Sequence, residues 1–138
     1  MATQTSSEPS STFYPAFVRV AVAAQTLTLF FQAATAGLLL SHHLGVLHAV
    51  GARVMYGAAM LYVLAAIVAW RPGGGSPKPI LYGTTFLVLA SGQVVLGITH
   101  TLSLHVPLGV LMFAMSFYQL GRELDAMGPV LRHDRGGR

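Results

Sequence analysis

The sequence predicts an all-α protein: an integral membrane, up-down-up-down four-helix bundle built from two repeated helical hairpins. Three observations predict it. Of 138 residues, 54% are hydrophobic and only 9% are charged, against roughly 25% charged in a soluble domain. The apolar residues fall into four runs, each close to the ~20 residues a helix needs to cross a bilayer. Finally, the stretches QAATAGLLLSHHLGVLHAVG (32–51) and QVVLGITHTLSLHVPLG (93–109) carry the same features in the same order. Each has a Gln inside an apolar run, a Gly, a His where the run ends, a short turn, then Leu-His and a Gly opening the next run. Gln32, Gly37, His42, Leu47, His48 and Gly51 correspond to Gln93, Gly97, His100, Leu104, His105 and Gly109. The spacings differ, so the internal repeat is weak. What it repeats, however, are polar groups that are costly at membrane depth and mark functional sites there.

In chain order, residues 1–12 are small and polar and predict a disordered tail. They lack the basic start of a signal peptide, and the apolar run behind them is too long for one. The membrane domain spans 13–126. Its first helix is expected over 16–41, with Phe13 and Tyr14 as interfacial anchors and Arg19 snorkelling to headgroups. After a connection at 42–46, the second helix is expected over 47–70, ending on Trp70 at the other interface. Residues 71–79, RPGGGSPKP, form a loop bracketed by Pro. The third helix is expected over 80–100 and the fourth over 104–120, with an extension through Arg122, Glu123, Leu124 and Asp125. Gly128-Pro129 stops it, and 127–138 is a basic tail. Short connections make consecutive helices antiparallel neighbours. Gly51, Gly57, Ala58, Ala59, Ala90, Gly92 and Gly97 supply small surfaces for close packing.

The formal net charge is +4, but it does not point to nucleic acid. Arg19, Arg71, Lys78, Arg122, Arg132, Arg135 and Arg138 share the side of the termini and the 71–79 loop, whereas the other side has only Arg53. The positive-inside rule then puts both termini in the cytoplasm and the His-bearing turns outside a cell (cytoplasmic) membrane, with the bilayer as the first partner. There is no Cys, which excludes disulfides, thiolate metal sites and covalent c-type haem.

Five of the six histidines, His42, His43, His48, His100 and His105, fall at the outer helix ends. An interfacial, half-hydrated imidazole explains His42 and His43. His48 and His105 stand apart because both open a returning helix in equivalent repeat positions. In such a bundle the second and fourth helices lie on a diagonal of about 13 Å, given adjacent axes about 8–10 Å apart. Two imidazoles bound to one metal at about 2 Å per bond roughly span it. A flat ligand could lie between the hairpins, with Gly51 and Gly109 clearing room a turn below each His. Non-covalent haem b with two axial histidines fits that shape and donor type. His42 and His100 are second-rank metal ligands.

Arg53 is the one fixed cation in the outer half. It either meets a haem propionate or snorkels to lipid phosphate. A Zn or Cu site made of His42, His48, His100 and His105 is a weaker alternative, because ligands on two diagonals do not converge on one tetrahedral ion. Gln32 and Gln93, with Gln25 deeper, suit hydrogen bonds between helices; a ligand or a quinone head group is the other use open to them. Met55, Tyr56, Tyr62, Met112, Phe113 and Phe117 have the helical spacing of a core. No carboxylate lies within the apolar runs and no Ser-His-acid order is present, so hydrolysis is not expected. The run at Gly73, Gly74 and Gly75 has no preceding strand and no following Lys-Ser/Thr, so it is not a phosphate loop.

With LHAVG and LHVPLG as the returning-helix motifs, the chain resembles one four-helix half of the haem A synthase family over most of residues 16–120. It is also similar to short bacterial four-helix membrane proteins of that pattern, and more distantly to cytochrome b561-like proteins. The resemblance implies haem between diagonal helices near the outer face, with His48 and His105 at the ligand positions. The chain has one bundle rather than two. It also lacks the long outer loops and the glutamate that the family's catalytic half carries near its first haem ligand. The resemblance therefore implies haem binding rather than haem oxidation.

The expectation is a small membrane haem b protein without independent catalytic activity, serving electron transport or haem handling within a larger membrane (respiratory) complex or as a homo-oligomer. The rival expectation is a cofactor-free accessory subunit of such a complex. The absence of intramembrane Asp or Glu argues against a proton-coupled carrier.

Overall fold

The computed structural model describes residues 10–42 and 45–126. Among them there are four helices and no strand: α1 (Ser10–His42), α2 (Gly45–Trp70), α3 (Lys78–Ile98) and α4 (Leu102–Asp125). Each is long and apolar enough to cross a membrane. At 1.5 Å per residue, the 26 residues of α2 extend about 39 Å. The expectations for the two terminal tails, for His43 and His133, and for a stop at Gly128-Pro129 concern residues outside the described ones. The tail expected at 1–12 is the partial exception, because its last three residues already belong to α1.

The helix ends differ from the expected ones for identifiable reasons. α1 starts at Ser10 and runs through Pro15; a proline near a helix start removes one donor without ending the helix. α3 starts at Lys78 behind Pro77, with Pro79 in its first turn, where the fixed φ of proline is already helical. It ends at Ile98 rather than at 100 because His100 takes a left-handed φ of 54°. The His100 amide donates to the Gly97 carbonyl (3.2 Å) and the Thr101 amide to the Leu96 carbonyl (2.9 Å). These two bonds are the pattern of a Schellman cap. The α3–α4 connection is therefore only Thr99, His100 and Thr101. The α2–α3 loop is also capped: the amides of Gly73 and Gly75 donate to Val68 and Ala69, and Gly74 takes a φ of 69°.

The helices that pack are α1 with α2, α2 with α3, α3 with α4, and α1 with α4. α2 and α4 are thus on a diagonal, as are α1 and α3. One core cluster draws on all four: Leu29, Met55, Ala59, Phe86, Ala90 and Met112. A second, of Val18, Ala21, Val22, Tyr62 and Ala65, joins α1 to α2 nearer the loop. Most of the large apolar side chains face outward, for example Leu81 (73% exposed) and Val110 (66%). Helices apolar on every side suit contact with lipid.

The inward-facing positions carry much of the polarity. Gln25 Nε2 donates to Ser116 Oγ (3.0 Å), and the Thr26 and Ser116 hydroxyls are 2.8 Å apart; Gln25, Thr26 and Ser116 are all buried. On the α2–α4 diagonal, Gln119 Nε2 donates to the Tyr62 hydroxyl (3.3 Å) and to Glu123 Oε1 (2.9 Å). Ala59 and Ala90 are buried, as the packing expectation requires. Gly57 and Gly92 are not used in this way, because a Cβ at either would meet nothing within 4 Å. The tightest glycine on α3 is Gly83, where a Cβ would lie 2.8 Å from Tyr62 Cδ1.

Candidate functional site

His48 and His105 are each the fourth residue of their helices, α2 and α4. Each ring is half-buried, and the ring centroids lie 6.3 Å apart with an interplanar angle of 67°. The two rings of the diagonal pair are thus near neighbours across the bundle. Two collinear imidazoles on one metal need about 2.0–2.1 Å per bond plus roughly 1.1 Å from each nitrogen to its ring centre, a sum of about 6.3 Å. A direct N–H···N bond between collinear rings would bring the centroids to about 5.2 Å.

Each Nδ1 is engaged by the helix that precedes its own. His105 Nδ1 lies 3.0 Å from the Gln93 carbonyl of α3. A carbonyl only accepts, so this nitrogen carries the proton and Nε2 is left with its lone pair. His48 Nδ1 lies 3.2 Å from the Thr35 hydroxyl of α1, and its ring is also hydrogen-bonded to the Gln32 main chain, as His105 is to that of Gln93. A ligating His ordinarily has its second nitrogen held in this manner.

The glycines play a different part from the expected one. A Cβ at Gly51 would lie 2.9 Å from Gln32 Oε1 and 3.1 Å from Phe31 Cε1; one at Gly109 would lie 2.9 Å from Gln93 Nε2. The room below each His is therefore taken by a glutamine of the preceding helix. These glutamines do not simply bridge helices by hydrogen bonds. Gln32 Oε1 receives a bond from Thr35 (3.2 Å), and Gln93 Oε1 is buried without a hydrogen-bond partner among the described residues.

Other expected site residues are not gathered here. Arg53 is exposed; five residues beyond His48, it is rotated about 140° away around α2, so nothing in the bundle directs it to a group held between the rings. His100 is exposed in the α3–α4 turn, where it serves as the left-handed cap. His42 ends α1, and its side chain, like the whole of His43, is outside the described residues. Among the described residues no three His, Cys, Asp or Glu side chains come together as a metal site, which gives the four-His Zn or Cu arrangement no support. Met55, Tyr62 and Met112 are buried core. Tyr56 and Phe113 pack on it, and Phe117 is 64% exposed.

Sequence reasoning missed Thr35, while Gly97, expected to allow close packing, does so against His105 in particular. A Cβ at Gly97 would lie 3.3 Å from His105 Cε1, so this glycine makes the wall against which His105 rests. Thr35 is one helical turn after Gln32 and shares its face, which is the signal that could have found it. In comparisons with protein families, characterised proteins and solved structures, nothing matches this chain.

Proposed function

We propose that the protein is a small multi-pass membrane haem b protein in which His48 and His105 would hold the haem iron, acting in electron transfer or haem handling as an accessory of a membrane complex. The 6.3 Å separation of the two rings carries the reading. It matches two imidazoles sharing one iron, and both Nδ1 atoms are already held from behind. Haem b would supply a one-electron couple within the apolar bundle. The chain's own residues hold the imidazoles in place, and the apolar side chains of the bundle limit access of water.

The up-down-up-down arrangement belongs to this proposal. Its support is register: His48 meets His105 and Tyr62 meets Gln119, and the steps are the same on both helices (62 − 48 = 14 and 119 − 105 = 14), about 21 Å. Equal steps in the same sense suit parallel α2 and α4. The two hairpins then present Gln32, His48 and Gly51, and Gln93, His105 and Gly109, as copies of one design. The distribution of Arg and Lys supports an extracytoplasmic position for the His end.

The test is an optical spectrum of detergent-purified protein expressed with ample haem, oxidised and then reduced with dithionite. A Soret band that sharpens into split visible bands on reduction is expected. A protein without a Soret band, whose His48→Ala and His105→Ala variants behave as wild type, would sink the proposal. One observation favours the cofactor-free accessory subunit instead. Gln32 and Gln93 occupy the space over Gly51 and Gly109, as they would in a bundle closed without a ligand. Under that reading the wild-type protein is colourless and co-purifies with a larger complex.

A further inference from the structure

We infer that the loop end of the bundle holds a second binding site, which takes a primary ammonium group on the Glu123 carboxylate. It lies at the opposite end of α2 and α4 from the imidazole pair and does not depend on the haem reading.

A cavity of about 180 Å³ lies between the start of α1, the 71–79 loop and the end of α4. It is smaller than the roughly 300–1,000 Å³ of a drug-sized site, so its occupant is a small group. Tyr14, Ala69, Gly73, Gly75, Ser76 and Glu123 are among its walls. Two of the glycines make close approaches there. A Cβ at Gly73 would lie 2.9 Å from Tyr14 Cδ2, and one at Gly75 would lie 2.8 Å from the Ala69 carbonyl oxygen. The Tyr14 ring and the main chain of the loop therefore pack directly on each other at the edge of the cavity.

The polar groups on these walls accept. Glu123 is half-buried, and its Oε1 takes one bond from Gln119 Nε2 (2.9 Å). Among the described residues no other hydrogen bond or ion pair reaches the carboxylate. The Ala69 carbonyl accepts from the Gly75 amide (2.9 Å) and keeps a second lone pair. Ser76 Oγ accepts from the Lys78 amide (3.2 Å). No Lys, Arg or His lines the cavity. Of the cations nearby in the chain, Arg71 lies over the Trp70 ring, 5.0 Å from its centroid, while Lys78 and Arg122 are exposed. Arg19 on α1 makes no ion pair with Glu123. An unpaired carboxylate among acceptors, beside an aromatic ring, selects a cation that brings its own N–H donors. A primary ammonium does so, whereas a quaternary one has no N–H to give. Two sources carry that group to the end of a membrane bundle: an ethanolamine lipid headgroup and a free amine.

The test uses the full chain, delipidated in detergent, at about pH 7, where an alkylamine is protonated. Trp70 is the one tryptophan; it adjoins Ala69 and reports on the cavity by its fluorescence. Ethylammonium is titrated at constant ionic strength, beside ethanol as the neutral counterpart and tetramethylammonium as a cation without N–H. A saturable response to ethylammonium alone is expected. Glu123→Gln should weaken it on the order of tenfold or more, while its amide oxygen still accepts from Gln119. Ser76→Leu adds bulk at the wall without touching the charge; it should weaken binding as well, and it decides the matter if circular dichroism shows that Glu123→Gln does not fold. Native mass spectrometry of protein purified without delipidation separates the sources. Ethanolamine lipid retained by wild type and lost from the variants identifies a headgroup; none retained identifies a free amine. No saturable response, one shared with ethanol or tetramethylammonium, or one that a folded Glu123→Gln protein leaves unchanged overturns the site. So does a response that emerges only in Arg19→Gln, since Arg19 is then the cation that Glu123 holds.

Discussion

Ser116→Ala is the change that tests how this bundle is joined away from the histidines. Ser116 Oγ takes the bond from Gln25 Nε2 at 3.0 Å and lies 2.8 Å from the Thr26 hydroxyl. Removing it leaves nearly the same volume, so the loss is polar rather than steric. Hydrogen bonds between helices in membranes average about 0.6 kcal/mol and reach about 1.7, so two of them give about 1–3 kcal/mol. The upper part of that range is expected here, at about 2 kcal/mol, because Gln25 Nε2 then loses its Ser116 acceptor in a buried site: Gln25 is 0% exposed. The assay is unfolding in mixed micelles by titration with a denaturing detergent, followed by far-ultraviolet circular dichroism. Ser91→Ala is the control: Ser91 Oγ is 3.0 Å from the Tyr56 hydroxyl, but the residue is exposed, so its loss should stay within about 0.5 kcal/mol. Combining Gln25→Leu with Ser116→Ala should recover about 1 kcal/mol relative to the sum of the single changes. A Ser116→Ala protein as stable as the Ser91→Ala control, or strict additivity in the double variant, would refute the reasoning that a buried polar joint ties α1 to α4.

Gly83→Ala should cost about 1–3 kcal/mol in the same titration. The new methyl would lie 2.8 Å from a ring atom of Tyr62, a fully buried side chain whose hydroxyl Gln119 engages; wild-type stability would show that α2 and α3 are not in this close contact. Gly109→Ala meets only the end of Gln93 at 2.9 Å, so it should cost about 1 kcal/mol and regain most of that when combined with Gln93→Ala; a double variant no better than Gly109→Ala would show that Gln93 does not fill this space. If haem is bound as proposed, Arg53→Gln should leave its content unchanged, because Arg53 is exposed and turned away from His48; a marked loss of haem would bring back the propionate partner.

The legible parts of this protein are those that depend on one helix or on chain order. Four runs of apolar residues predict four helices, since length and hydropathy are properties of each segment alone. That His48 and His105 belong together follows from order as well: with consecutive helices as neighbours, the second and fourth face each other across the bundle. What could not be read depends on the rotation of one helix against the next. Gly51 and Gly109 looked like room for a ligand, yet the side chain nearest each comes from the preceding helix, Gln32 and Gln93, and the sequence does not state that distance. Ser116 and Thr26 look like ordinary small residues in apolar helices; only the meeting of α1 with α4 turns them into a joint. His105, Met112, Ser116 and Gln119 do recur at helical spacing along one stripe, in step with His48, Met55, Ala59 and Tyr62 on α2. Met112, Ser116 and Gln119 are buried, as are Met55, Ala59 and Tyr62. Aligning the returning helices on their histidines would have exposed that match before any coordinates, and would have marked Ser116 and Gln119 as inward-facing. Polar residues on an inward stripe of a lipid-embedded helix must find partners in the protein. The inward polar stripe therefore extends along the whole α2–α4 diagonal, from the imidazole pair to Tyr62 and Gln119.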